Sequence, residues 1–129
     1  MPVGSEFRRF TVVGAIGFLV DGAVLQALIS GAGWSPFTAR LVSFPLALSA
    51  TFWLNRNWTF RHRATASAFR TYGAYTLVQT VGALINFAVF SAGILWIPPL
   101  RERPLLALAA GSGVALVFTF SASRMAVFR

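Results

Sequence analysis

The chain has no cysteine, and its 129 residues include only three acidic residues and one histidine. The missing cysteines exclude disulfides, thiol nucleophiles and thiolate-bound metals. Charged residues make up 11%, whereas a soluble domain carries roughly a quarter, so the chain lacks the polar surface that a water-soluble protein needs. With so few carboxylates and a single imidazole, acid–base catalysis has no pair of groups to use. We therefore expect neither an enzyme nor a bound cofactor or metal.

The net charge is nevertheless +8, because the basic residues are all arginines. A charge of this sign could indicate nucleic-acid binding, but the arginines flank apolar runs and do not line one face. Arginines beside apolar segments are attracted to anionic lipid headgroups. Membrane lipids, and not nucleic acid, are the expected surroundings of this charge.

Hydrophobic residues make up 57% of the chain and form four long runs. They cover residues 10–30, 37–60, 73–96 and 105–127, and each exceeds the ~20 residues that cross a bilayer as a helix. The runs are apolar on all sides, which excludes the alternating strands of a membrane barrel. The first is too long for a signal peptide, so we expect a retained helix. The sequence thus predicts an all-α membrane protein with four transmembrane helices, forming one domain of two hairpins at about residues 7–60 and 69–128.

The arginines are distributed unequally between the two ends of these runs. The N-terminus, the central loop and the C-terminus share one side, with Arg8, Arg9, Arg56, Arg61, Arg63, Arg70, Arg124 and Arg129, whereas the other side has Arg40, Arg101 and Arg103. Cytoplasmic loops carry the excess of arginine and lysine. This rule predicts that both termini lie in the cytoplasm.

The two halves resemble each other. Asn55-Arg56 closes the second run as Ser123-Arg124 closes the fourth, while Asp21 and Asn86 lie at similar depths in the first and third. The pattern indicates a duplicated hairpin with about three residues inserted in the second copy. Because two helices return the chain to its starting side, the copies would be related in parallel, by an axis near the membrane normal. The alternative is that any two apolar hairpins with arginine anchors look alike.

Residues 9–14 (RFTVVG), Asp21, Arg40 and residues 52–60 (FWLNRNWTF) closely resemble the GtrA-like family, which consists of small bacterial proteins with four transmembrane helices. The resemblance covers nearly the whole chain, and residues 55–60 are its most specific part. It implies translocation of a polyprenyl-phosphate-linked sugar across the cytoplasmic membrane, for cell-surface polysaccharide synthesis. Some members of the family have instead been proposed to recruit a membrane glycosyltransferase.

Such a cargo has an apolar tail, a phosphate charge and a polar sugar, so its head needs a guanidinium, neutral polar groups and aromatic rings. Arg56 is the predicted phosphate ligand, with Asn55 and Asn57 as neutral donors beside it. Trp58 either stacks on the cargo or belongs to the interfacial aromatic belt. Arg124 is either a second headgroup contact or a topological anchor.

Three further candidates lie within or near the predicted spans. Asp21 is the one acidic residue inside a span, and it either acts in transport or forms a structural ion pair. Arg40, near the outer end of the second helix, either holds the phosphate or pairs with Asp21. Asn86 completes the set of polar groups that could contact a crossing headgroup, although helix–helix hydrogen bonding would leave similar groups.

Three functions are compatible with these residues: a flippase for lipid-linked sugars, a scaffold for a glycosyltransferase, and a small multidrug-type exporter. Asp21 also fits an exporter, because that class expects an acidic residue in its first helix. The interfacial arginines, however, suit an anionic headgroup better than a cationic drug. Since four helices enclose little room for a sugar, we expect a homo-oligomer.

Overall fold

The structure is a computed structural model that describes residues 2–63 and 67–128. The chain divides into two compact units, Met1–Ala64 and Thr65–Arg129, which we call hairpin one and hairpin two. Within the described residues all regular structure is helical, and four helical segments are long and apolar enough to cross a membrane. They are Val3–Gly31, Pro36–Thr59, Ala68–Trp96 and Pro104–Val127. The prediction of an all-α protein with four membrane helices is confirmed.

Hairpin one packs two helices against each other around a tight turn. Its elements are α1 (Val3–Gln26), a π-helical turn (Ala27–Gly31), α2 (Pro36–Leu54), a second π-helical turn (Asn55–Thr59) and a short 3-10 turn (Arg61–Arg63). Ser35 caps α2 by accepting a hydrogen bond from the Thr38 backbone N–H at 3.3 Å, and Pro36 follows it in the first turn, where proline is favoured. Gly33 adopts φ 73°, a left-handed conformation that suits glycine.

Hairpin two contains α3 (Ala68–Trp96), a short helix α4 (Pro98–Glu102), α5 (Pro104–Ala122) and a final π-helical turn (Ser123–Val127). The side chain of Ser67 caps α3 by accepting a hydrogen bond from the Arg70 backbone N–H. At the other end of α3, Arg101 donates to the carbonyls of Ile94 and Leu95, at 2.9 and 2.6 Å. These carbonyls lie in the last turn of α3 and lack intrahelical partners, so Arg101 satisfies groups that the helix leaves open.

Glycine and threonine make the closest helix–helix contact in each hairpin. A Cβ atom added to Gly17 would overlap Cγ2 of Thr51, and one added to Gly82 would overlap Cγ2 of Thr119. Each threonine hydroxyl donates to the backbone carbonyl three residues earlier, at 3.0 and 3.2 Å respectively. The hydroxyl bond fixes the rotamer that places the methyl group against the glycine. Small residues are the usual device for close approach of membrane helices.

In each hairpin the first helix begins and the last π-helical turn closes at the same end, which we call the terminal end. The opposite end is the turn end. In both hairpins the residue after the π-helical turn is a buried phenylalanine, Phe60 or Phe128, whose N–H closes the turn with a 2.8 Å hydrogen bond. Phe60 packs on Phe10, with ring centroids 6.1 Å apart, and Phe128 packs on Tyr75, with centroids 5.9 Å apart. The aromatic pair therefore ties the π-helical turn to the first helix in each copy.

Candidate functional site

The sequence-predicted phosphate ligand, Arg56, lies in the π-helical turn at the terminal end of hairpin one. It is half-buried, and its guanidinium lies 5.8 Å from the ring centroid of Trp53, which is within cation–π range. Asn57 is exposed beside it, whereas Asn55 is buried and its Oδ1 accepts a 2.8 Å hydrogen bond from the Thr59 hydroxyl. Asn55 therefore serves the π-helical turn, and Arg56 and Asn57 are the members of this group with solvent or lipid access.

Trp58 is held by Arg9 of α1, which was not among the candidate site residues predicted from the sequence. Nη1 of Arg9 donates to the Trp58 carbonyl at 3.2 Å, and its guanidinium lies 5.2 Å from the Trp58 ring centroid. Trp58 keeps 38% of its surface exposed. A hydrogen bond and a cation–π contact therefore both hold the Arg9 guanidinium in position.

An open depression of about 310 Å³ lies beside this contact, lined by Ser5, Arg8, Arg9, Val12 and Trp58. The four α1 residues follow the spacing that places side chains on one helical face. Two guanidinium groups, one hydroxyl and an aromatic ring therefore surround a single concave surface. This combination suits a small anion that carries a polar or ring-shaped substituent.

A buried acidic residue supports the same end of the hairpin. Glu6 is fully buried in the first turn of α1, where a carboxylate is favoured by the helix dipole. Its Oε2 lies 3.3 Å from Nε of Arg63 in the 3-10 turn. The ion pair ties the chain that follows the π-helical turn back to α1, a contact that the sequence pattern did not predict.

Near the turn end of hairpin one, Asp21 of α1 forms an ion pair with Arg40 of α2, through Oδ2 and Nη1. The Asp21 side chain is 19% exposed and that of Arg40 is 52% exposed. The Arg40 guanidinium also lies 5.6 Å from the Phe44 ring centroid. Oδ1 of Asp21 is buried with no hydrogen-bond partner within residues 2–63 and 67–128. The structure therefore contains the pairing that the sequence left as one of two alternatives for Arg40.

The two remaining candidates belong to hairpin two. Asn86 of α3 points its Nδ2 to the Ser112 hydroxyl at 3.5 Å, a weak hydrogen bond. Its side-chain and backbone oxygens both lie against Gly111. Arg124 is half-buried in the π-helical turn of this hairpin, at the position that Arg56 occupies in hairpin one. Over the described part of the chain, no group of three His, Asp or Glu residues could hold a metal ion.

Aligning the glycine–threonine contacts of the two hairpins requires the three-residue insertion that the sequence predicts. Leu108 then occupies the position of Arg40, Ala74 that of Arg9 and Ala126 that of Trp58, as read from the sequence. Hairpin two therefore has no counterpart of the Asp21–Arg40 ion pair or of the Arg9–Trp58 contact that borders the depression in hairpin one.

Comparison with known proteins places these features in context. A family model described as "GtrA/DPMS, transmembrane domain" matches residues 9–128. The "Bactoprenol-linked glucose translocase" of Shigella phage SfV is 27% identical over 123 residues, which are 95% of this chain and 94% of that protein. The "Prophage bactoprenol-linked glucose translocase homolog" of Escherichia coli (strain K12) gives the same values, and the Salmonella phage P22 translocase is 24% identical with the same coverage. These relatives are named as translocases, which agrees with the prediction that the chain is not an enzyme.

Proposed function

We propose that this chain, which belongs to the GtrA/DPMS transmembrane domain family, translocates a polyprenyl-phosphate-linked sugar across the bacterial cytoplasmic membrane. It is a multi-pass membrane protein. Its relatives carry the name of translocases for bactoprenol-linked glucose, and we extend the class of cargo, a sugar on a polyprenyl phosphate, to this chain. The sugar would then serve cell-surface polysaccharide synthesis or glycosylation on the far side of the membrane.

The observation that carries this proposal is the placement of guanidinium groups at both ends of hairpin one. Arg56 lies at the terminal end, and Arg40 lies near the turn end, paired with Asp21. The polyprenyl tail can remain in the lipid while the head crosses, so the protein has to lower the cost of moving one phosphate charge through hydrocarbon. A guanidinium at each end supplies a bidentate phosphate contact where the crossing begins and where it ends.

Asp21 allows the Arg40 guanidinium near the turn end to exchange one anionic partner for another. While no cargo is present, its carboxylate neutralises Arg40; an arriving phosphate would take the carboxylate's place on the same guanidinium. Arg40 is more than half exposed, so a headgroup has access to it. In this scheme Asn57 supplements Arg56 at capture, and Asn86 and Arg124 offer the corresponding, weaker contacts from hairpin two.

For orientation we propose that both termini lie in the cytoplasm, so that the terminal end of hairpin one captures cargo. The arginine asymmetry supports this direction. Single cysteines at His62 and Ala32 would test it in this cysteine-free chain, because both residues are exposed and, unlike Ser35 and Ser67, neither caps a helix with its side chain. An impermeant thiol reagent added to intact cells should label Ala32→Cys and spare His62→Cys. The reverse pattern would refute the orientation.

We propose further that the two hairpins act as one transmembrane domain, and that several copies assemble. Arg40 is 52% exposed within its own chain, and a charged group at membrane depth is stabilised by protein or water around it. In a homo-oligomer, neighbouring copies would surround Arg40 with protein and would enclose enough room for a sugar. A membrane glycosyltransferase would receive the cargo. Cross-linking in native membranes at low expression should trap dimers or larger species; a strictly monomeric protein in nanodiscs would refute the assembly.

The decisive experiment is transport of a fluorescent polyprenyl-phosphate-linked glucose in vesicles that contain only the purified protein. Asp21→Asn should retain binding of the cargo but slow its translocation by more than tenfold, because Arg40 loses the carboxylate that exchanges with phosphate. Arg56→Lys keeps the charge but loses the planar fork, so binding should weaken by about 1.5–3 kcal/mol. Arg61→Lys is the matched control, since Arg61 is an exposed arginine at the same end.

Each alternative function predicts a different outcome of this assay. If Arg56→Lys and Arg56→Ala both transport normally, Arg56 is a topological anchor. If the unmodified protein moves no lipid, the scaffold function is favoured. Export of a cationic dye such as ethidium, without movement of lipid-linked sugar, would support the multidrug-type exporter. Among these three functions, the names of the relatives favour the flippase.

A further inference from the structure

We propose that the depression lined by Ser5, Arg8, Arg9, Val12 and Trp58 is the site that first binds the phosphate of the lipid-linked sugar. This inference rests on the proposed function and adds a step before the contact with Arg56: the depression binds the phosphate first, and Arg56 at the same end contacts it afterwards, where the crossing begins. Arg9 is the central phosphate ligand, Arg8 contributes a second charge, and the Trp58 ring contacts the sugar.

Arg9 is prepared for this role by contacts that leave most of its donors available. One N–H bonds to the Trp58 carbonyl at 3.2 Å, and the guanidinium lies 5.2 Å from the centre of the ring. A guanidinium has five N–H groups in a planar fork. Within the described residues Arg9 has no other hydrogen bond or ion pair, so the rest of the fork can bind phosphate oxygens. Because the side chain is already held, little rotamer entropy is lost on binding.

The other lining residues match the remaining parts of the cargo. Arg8 is exposed and makes no ion pair within residues 2–63 and 67–128, so its charge is also available. The Ser5 hydroxyl can donate to a phosphate or sugar oxygen, and the exposed part of Trp58 offers a ring for stacking. Val12 lies one helical turn deeper along α1, where the first isoprene unit would follow the phosphate into the membrane. The volume of about 310 Å³ lies at the small end of the range for ligand pockets, as a single head requires.

Hairpin two cannot form a second site of this kind. Gly73 and Ala74 occupy the positions of Arg8 and Arg9, and Ala126 occupies that of Trp58, so the two adjacent guanidinium groups and the ring are missing, and the one charge at these positions is Arg70, in place of Ser5. The proposal therefore predicts one first-binding site of this kind per chain, in hairpin one and not in hairpin two. Two sites of equal affinity per chain would contradict it.

A phosphate could reach this depression from the cargo, from an ordinary anionic phospholipid or from solution. The aromatic ring and the hydroxyl beside the arginines favour the sugar-bearing phosphodiester, since a bare phosphate would use only the charges. The experiment uses protein in phosphatidylcholine nanodiscs, titrated with a short-chain prenyl-phosphate-linked glucose. Separate titrations use inorganic phosphate and nanodiscs that contain phosphatidylglycerol.

We expect Arg9→Ala and Arg9→Lys each to weaken binding of the prenyl-phosphate glucose by about tenfold or more, because both remove a bidentate charge-assisted contact. Arg8→Ala should have a smaller effect. Trp58→Ala should weaken binding of the prenyl-phosphate glucose more than it weakens binding of prenyl phosphate without the sugar. Arg70→Ala is the control, because Arg70 is an exposed arginine at the terminal end of hairpin two, and it should bind within twofold of the unmodified protein. Arg9→Lys keeps the charge and guards against a variant that fails to fold, which circular dichroism would detect.

Each contrary result overturns the site. Unchanged binding in folded Arg9→Lys and Arg9→Ala would show that the depression does not hold the phosphate. If phosphatidylglycerol at equal concentration displaces the prenyl-phosphate glucose, the depression is an ordinary lipid contact. If inorganic phosphate binds with the same affinity as the prenyl-phosphate glucose, it is a free-phosphate site. Failure of the site and failure of the function remain distinct. If unmodified protein translocates lipid-linked glucose but Arg9 variants bind it normally, the function stands and the site falls; if the probe binds at Arg9 but unmodified protein moves no lipid, the site stands without transport.

Discussion

In both hairpins a glycine of the first long helix meets a threonine of the second, and a π-helical turn ends on a buried phenylalanine that packs against an aromatic ring. The charged contacts are not repeated. Hairpin one has the Asp21–Arg40 ion pair and the Arg9–Trp58 contact, whereas hairpin two has Asn86 and leucine or alanine at the other positions. Packing is thus common to both copies, while the groups that could bind a phosphate are concentrated in one.

This difference suggests that a hairpin of this kind is stabilised by close helix contact and does not need the ion pair. Without water between them, membrane helices associate through van der Waals packing and a few polar contacts. In hairpin two the contacts described above between α3 and α5 involve the neutral residues Gly82, Thr119, Asn86, Gly111 and Ser112. We therefore propose that the Asp21–Arg40 and Arg9–Trp58 contacts of hairpin one serve cargo binding and are not required for stability. Substitutions that exchange features between the two copies can test this distinction.

The largest effect on stability is expected where the two helix contacts differ most. Ser43 of hairpin one corresponds to Gly111 of hairpin two, and a Cβ added to Gly111 would lie 2.6 Å from the backbone carbonyl oxygen of Asn86. A backbone carbonyl cannot rotate away, so Gly111→Ser should force the helices apart. We expect a loss of about 2–3 kcal/mol in the free energy of unfolding, measured by SDS titration in mixed micelles.

The reciprocal exchange supplies the control. Ser43→Gly removes a small buried side chain whose hydroxyl has no partner among the described residues. It should cost only about 1 kcal/mol, chiefly from the lower helix propensity of glycine. If Gly111→Ser and Ser43→Gly cost the same, α3 and α5 are no closer at Gly111 than α1 and α2 are at Ser43. That result would contradict the close contact at Gly111.

A smaller effect, equal in both copies, is expected at the shared glycine–threonine contact. Gly17→Ala and Gly82→Ala each place a methyl group on the threonine Cγ2 opposite, which should cost about 1–2 kcal/mol. Replacing that threonine by serine removes Cγ2 but keeps the hydroxyl, so Thr51→Ser and Thr119→Ser should each restore most of the loss in their own hairpin. Thermal unfolding by circular dichroism in detergent would compare the four variants. If the threonine-to-serine change restored stability in one hairpin only, the two glycine–threonine contacts would not be equivalent.

The sequence was sufficient to predict the four helices, because each apolar run exceeds the length of a membrane span. It also drew attention to Asp21, since an acidic residue inside such a run is exceptional. It did not decide whether Arg40 pairs with Asp21, because that depends on how α2 returns along α1 after the turn. Arg9 was not among the candidates from the sequence for a similar reason: its position is fixed by the carbonyl and ring of Trp58, far away in the sequence.

Burial was another property that the pattern did not reveal. Glu6 precedes the first apolar run and would be expected in water, yet it is fully buried against Arg63. Asn55 belongs to the segment most typical of the family, but its side chain is turned inward to Thr59. Asn55 and Thr59 both lie in the π-helical turn, whose spacing differs from that of an α-helix, and Arg63 lies in the 3-10 turn that comes after it. Apolar periodicity alone does not distinguish such a turn from the end of an α-helix.

The smallest difference between the copies lies inside these π-helical turns. In hairpin one the Thr59 hydroxyl donates to Asn55 at 2.8 Å, and both residues are buried. In hairpin two Val127 and Ser123 occupy the same positions, and the Ser123 hydroxyl is buried with no partner in the described chain. Thr59→Val should therefore lower the free energy of unfolding by about 1 kcal/mol, because it removes a buried hydrogen bond and leaves the side-chain oxygen of Asn55 without this donor.

Ser123→Ala should change the free energy of unfolding by less than about 0.5 kcal/mol, since a buried hydroxyl without a partner contributes no hydrogen bond to lose. The double variant Ser123→Asn with Val127→Thr would build the hairpin-one pair in hairpin two. It should be more stable than the sum of its single variants by about 1 kcal/mol, which a double-mutant cycle measures directly. A coupling energy near zero would mean that the asparagine–threonine bond does not strengthen the turn.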